Sequence, residues 1–150
     1  MSMHSYSRCW VHLIWGTLNR ERVLNKKAAA GLSQYLLEYA DEQGMYMKIN
    51  FVNPDHVHAL IDVPTGLSIE KVVQLLKGSS SHWVNSNELV TGKFAWGRGY
   101  GAFSVSHSNV DLVARHIADQ EEHHRVRTYA EELKEFINRH GVRWHDQGSR

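Results

Sequence analysis

At 150 residues the chain has the size of one compact domain and can bury a core without disulfides or a structural metal. Its formal charge of +1 gives no net-charge argument for a polyanionic partner. The lone Cys9 excludes a disulfide framework and a four-thiolate zinc site, and no run approaches the roughly 20 apolar residues that cross a bilayer. The expectation is a single domain over residues 1–150, with no membrane partner, in a reducing cytoplasm. Any affinity for nucleic acid must then rest on local groups of cations: Arg20, Arg22, Lys26 and Lys27; Lys93 and Arg98; Arg125 and Arg127.

Residues 6–17 are rich in aromatic and β-branched side chains and predict a buried first strand. Residues 26–43 carry Leu32, Leu36, Leu37 and Ala40 at helical spacing and stop at Gly44, a suitable C′ glycine. The runs 45–53 and 57–63, separated by Asn53-Pro54-Asp55, predict a hairpin. Ser68 is a good N-cap for a helix with Ile69, Val72, Val73, Leu75 and Leu76 on its apolar face, running to about Asn85. Residues 94–96 and 102–105 flank a glycine-rich bend, and the second piece predicts the fourth strand. Ser108 can cap a helix over 110–124, and Thr128 with Glu131 forms a capping-box pattern opening a last helix that ends near Gly141. The order βαββαβ plus two C-terminal helices predicts an α+β, ferredoxin-like fold: an antiparallel sheet with helices on one face and the other face free to bind a ligand.

Pro54-Asp55-His56-Val57-His58 opens the third strand. Residues two apart on a strand point to one side, so His56 and His58 project together as a chelating pair and Val57 turns to the packed face. By the same parity Asp55 faces away if the strand already includes it. A two-imidazole site needs a third ligand and keeps positions open for water or a phosphate oxygen. The bland alternative makes both histidines polar residues of an exposed face. A small iron oxygenase is a further alternative, disfavoured by the missing carboxylate partner.

The stretch Asn53-Pro54-Asp55-His56-Val57-His58-Ala59-Leu60-Ile61 resembles the signature of the single-tyrosine HUH transposases, including the REP-associated ones. The likeness extends to 11–15, 76–81, 96–106 and 117–124. It implies a ferredoxin-like domain that binds hairpin-bearing single-stranded DNA. Strand cleavage would be metal-assisted, with Mg2+ or Mn2+, through a covalent 5′-phosphotyrosine. It also implies a homodimer in which the helix around position 116 serves the partner's site in trans, working at the bacterial nucleoid. Gln120 matches the family's glutamine ligand beside His56 and His58. Lys77 and Arg98 match family positions and, with Arg20 and Arg22, are the expected DNA contacts.

Four residues before Gln120, where the family has its tyrosine, this chain has His116. Positions i and i+4 share a helix face, so His116 stands where the nucleophile should. Three explanations are open: a variant that binds metal and DNA without cleaving, an attacking imidazole, or a substitute tyrosine at Tyr100 or Tyr129, neither with the family spacing to Gln120. His116 could also be an added nitrogen ligand, which would favour zinc or nickel over magnesium.

Overall fold

The computed structural model describes residues 5–120 and 128–142. The elements are β1 (Trp10–Gly16), α1 (Lys26–Glu42), β2 (Tyr46–Val52), β3 (His56–Asp62), α2 (Ile69–Ser86), β4 (Gly101–Ser104), α3 (Val110–Ala118) and α4 (Tyr129–Arg139). The helix starts follow local chemistry. Asn25 accepts from the Ala28 amide at 2.8 Å, and Ser68 accepts from that of Lys71 at 3.0 Å. Thr128 and Glu131 close a reciprocal capping box. Helix α1 ends before Gly44, whose φ of +75° is the left-handed turn the sequence predicts there. Ser108 caps nothing; it lies in a 3-10 turn, His107–Asn109, that leads into α3. Before the glycine-rich bend, Trp96 pairs with Thr17 as an isolated bridge. The predicted extension of α3 beyond residue 120 lies outside the described residues.

The sheet runs β2-β3-β1-β4, antiparallel throughout. The register pairs Ile14 with His58 and Gly16 with His56, and antiparallel partners share a face. One face therefore carries Val11, Leu13, Trp15, Val57, Ala59 and Ile61, which pack under α1 and α2 with Leu32, Leu36, Val72 and Leu76. Each fully buried aliphatic side chain there contributes about 1.5–3 kcal/mol. The opposite face carries Trp10, His12, Ile14, His56, His58, Leu60 and Phe103, and it is not free as the sequence predicts. Val110 and Ile117 of α3 cover its Trp10–Leu60 end, and Tyr129 and Phe136 of α4 cover its Ile14–Phe103 end. The strongly apolar faces of these two helices need burial, and the second face of the sheet supplies it. The histidine pair is thereby enclosed: His56 and His58 are both 0% exposed, which rules out the exposed-face alternative.

Candidate metal centre

His56 and His58 project from the same face of β3, their ring centroids 5.1 Å apart. Each ring is fixed from behind. The His56 Nδ1–H donates to Asp55 Oδ1 at 2.7 Å, and the His58 Nδ1 is 2.8 Å from His12 Nε2 on the neighbouring strand. β3 begins only at His56, so Asp55 lies in the turn, outside the strand parity, and its carboxylate reaches the His56 ring. Burial first, and then the charges of His58 and other neighbouring histidines, lower the His12 pKa well below the ordinary imidazole range. His12 is therefore neutral, and in the tautomer protonated at its own Nδ1 its Nε2 accepts the His58 Nδ1–H. Both Nδ1 atoms are thus spent on positioning partners and both Nε2 atoms point forward, the arrangement metal-binding histidines use once those Nε2 atoms give up their protons. The Asn53 amide at 3.3 Å from His56 Nε2 fits the same assignment.

Ahead of the pair lies Glu132 of α4, only 4% exposed. Its Oε1 is in close contact with His58 Nε2 and 3.6 Å from His56 Nε2. Ligand atoms of His56, His58 and Glu132 all lie within 4.8 Å of one another. Burial alone would raise the Glu132 carboxyl, but hydrogen bonds from His56 and His58 outweigh it and hold the group well below the usual carboxylate range. Burial likewise would lower His56, yet its bonds to Asp55 and Glu132 raise it. This donor set suits a divalent cation that displaces the Nε2 protons shared with Glu132: two imidazole nitrogens and a carboxylate oxygen converge in an enclosed space.

Gln120, just past α3, is 0% exposed, and neither atom of its carboxamide has a hydrogen-bond partner among the described residues. A buried amide without partners costs about 1–3 kcal/mol, a cost that a ligand taking the amide would relieve. His116, one turn earlier, is partly buried and near enough for its charge to depress that of His12. Tyr129 stacks on His56 with ring centroids 4.3 Å apart and planes at 11°. Its phenol is pushed up to about 12, chiefly by burial.

The expected DNA contacts divide. Arg20 and Arg98 line one cleft of about 400 Å³ with Tyr100 and Tyr129, and the Arg20 guanidinium lies 5.7 Å from the Tyr129 ring centre. Asn19 and Arg20 both adopt φ of 57°, a costly left-handed backbone that places Arg20 there. Arg22 lines a different cavity of about 790 Å³ beside α1. Lys77 is engaged within the protein: its ammonium donates to the carbonyls of Gly97 at 2.8 Å and Gly99 at 3.0 Å, holding the glycine-rich bend. Trp10 and Trp15 are core residues, and Trp83 stacks on Tyr35.

His12, Asn53 and Glu132 were not singled out from the sequence. His12 sits in an apolar run whose period-two register against β3 was its only signal. Glu132 is one of several acids on a charged helix, distinguished only by sharing a face with Tyr129, Leu133 and Phe136.

A model of the IS200-like transposases matches residues 5–120, so this chain belongs to that family. It is 30% identical over 114 residues to the ISDra2 transposase TnpA of Deinococcus radiodurans, covering 73% of this chain and 81% of that protein. Among solved structures it is similar to a candidate transposase from Deinococcus radiodurans R1, with a TM-score of 0.63, 27% identity, and 80% and 96% of the respective chains covered. It also shares its fold with a REP-associated tyrosine transposase bound to a REP hairpin, at a TM-score of 0.56 and 12% identity, over 83% and 74% of the two chains. No helix among the described residues is long and apolar enough to cross a membrane.

Proposed function

We propose that this chain binds hairpin-bearing single-stranded DNA at a divalent-metal centre built on His56 and His58, and that it does not cut the strand through position 116. The observation that carries the reading is the pair of buried imidazoles, each with Nδ1 committed to a partner and Nε2 aimed into the same enclosed space. Mg2+ or Mn2+ held there, with Gln120 as the family's further ligand, would neutralise and orient a phosphate of the bound strand. The residues of the chain do the rest. Arg20 and Arg98, which line one cleft with Tyr100, would take phosphates while Tyr100 stacks on a base, and Arg22 would extend the basic surface. Family membership and the hairpin bound by the REP-associated neighbour support the choice of DNA. A homodimer belongs to the same reading, although α3 packs on its own sheet with His116 close to its own His12, so serving the partner's site would require α3 to undock. The 60% exposed Leu112 on α3 is in keeping with such pairing.

A second reading, strand cleavage by a substitute tyrosine, is favoured by one observation: Tyr129 lies against His56 despite its spacing from Gln120. Labelled hairpin DNA with Mn2+ separates the two. The first reading expects tight binding without a denaturation-resistant protein–DNA adduct in the wild-type chain, and an adduct in His116→Tyr. An adduct in the wild type that disappears in Tyr129→Phe would establish the second.

A further inference from the structure

We propose that Glu132 is itself a metal ligand, closing His56 and His58 from the last helix into a two-histidine, one-carboxylate site. The inference rests on the reading that the histidine pair holds a divalent cation. It concerns a part of the chain beyond residue 120, where the family match stops.

Three observations converge. Asp55 and His12 hold the two rings from behind, so both Nε2 atoms meet a single Glu132 oxygen, the geometry of donors around one ion. The helix bearing Glu132 is locked in rotation at both ends of the contact. The Thr128–Glu131 capping box fixes its first turn and Tyr129 stacks on His56, while Phe136 packs edge-on against His12 at 4.8 Å and stacks on Phe103. Residues 129, 132, 133 and 136 form one helix face, and Glu132 is the only acid on it. Glu131 is used in the cap and Glu135 pairs with Arg139, so those acids have surface roles. A carboxylate on an otherwise apolar, buried face is costly unless a positive charge meets it there. A cation bound by two neutral imidazoles is such a charge.

The consequence is a site with one formal negative charge and mixed nitrogen and oxygen donors, which favours Mn2+ and other transition metals over Mg2+. It also ties the last helix to the metal. The competing role for Glu132 is a plug that occupies the space of the ion and must leave before one binds.

Titrating the metal-free full-length chain with Mn2+, in the absence of DNA, distinguishes ligand from plug. Calorimetry gives the affinity for wild type, Glu132→Gln and His58→Ala. A ligand predicts that Glu132→Gln, nearly isosteric but uncharged, loses about tenfold or more in affinity, as even supporting residues of metal sites do. Affinity equal to or tighter than wild type in Glu132→Gln, with binding lost in His58→Ala, would overturn the Glu132 assignment and leave the histidine site standing. A wild-type chain that binds no Mn2+ would overturn both. Should Glu132→Gln fail to fold by circular dichroism, the infrared carboxylate bands of wild type supply the test: a shift on adding Mn2+ supports coordination, and unchanged bands contradict it.

Discussion

Replacing His12 by phenylalanine separates packing from positioning at the metal centre. The His12 ring is 2% exposed, packs edge-on against Phe136 at 4.8 Å, and accepts the His58 Nδ1–H at 2.8 Å. Phenylalanine retains the ring and most of those contacts but offers no acceptor, so a buried N–H is stranded at a cost of about 1–3 kcal/mol. It also frees His58 to move its proton to Nε2, the atom a metal needs. Lost positioning partners of this kind weaken metal binding about 10- to 100-fold, equivalent to about 1.4–2.7 kcal/mol. Glutamine at position 12 restores an acceptor without restoring the ring. The account therefore expects His12→Gln to bind Mn2+ within a few-fold of wild type and His12→Phe to bind far more weakly, even where urea unfolding ranks their stabilities in the opposite order. Nitrogen-15 shifts of His58 in the metal-free chain should report Nδ1–H in wild type and a mixture in His12→Phe. Wild-type Mn2+ affinity and an unchanged His58 tautomer in His12→Phe would refute the positioning role.

Gly16→Ala should destabilise the chain by about 1–3 kcal/mol in urea unfolding, because the added methyl would stand 2.7 Å from a Tyr129 ring carbon and 3.3 Å from its hydroxyl. Lys77→Met should loosen the bend that Gly97 and Gly99 form and lower stability in urea unfolding, since its ammonium donates to both of their carbonyls; Arg98→Ala should reduce the slope of log K against log salt by about one. The Tyr129 phenol is raised to about 12 by burial. A raised value means that the folded chain holds this proton more tightly than the unfolded one, so the contribution is complete below the ordinary tyrosine range and is lost as pH climbs toward 12. Tyr129→Phe should accordingly flatten the loss of stability seen in alkaline unfolding.

The antiparallel core was legible because its signals are local. Apolar runs, the Ser68 and Thr128 caps and Gly44 each act within a few residues, and the His56–His58 parity needs only a strand. What escaped depends on contacts between distant segments. Nothing near α3 or α4 announces that their apolar faces will cover the second face of the sheet, because that outcome is decided by the area each helix must bury. The placement of Asp55 turned on whether β3 started one residue earlier, because alternation governs a residue only inside the strand. His12 became a site residue only when β1 paired with β3 in the observed register. Lys77 stood out in the sequence only because it matches a family position; its bonds to the carbonyls of Gly97 and Gly99 exist only once the bend folds back to α2.

The central claim is that the histidine pair is a metal centre serving single-stranded DNA. Fluorescence anisotropy with a labelled hairpin-bearing strand, read against an unstructured strand of equal length and composition with and without Mn2+, tests it most directly. The account predicts preference for the hairpin strand and tightening by Mn2+ that disappears in His58→Ala. Equal binding of the two strands, or tightening that survives in a folded His58→Ala chain, would contradict it.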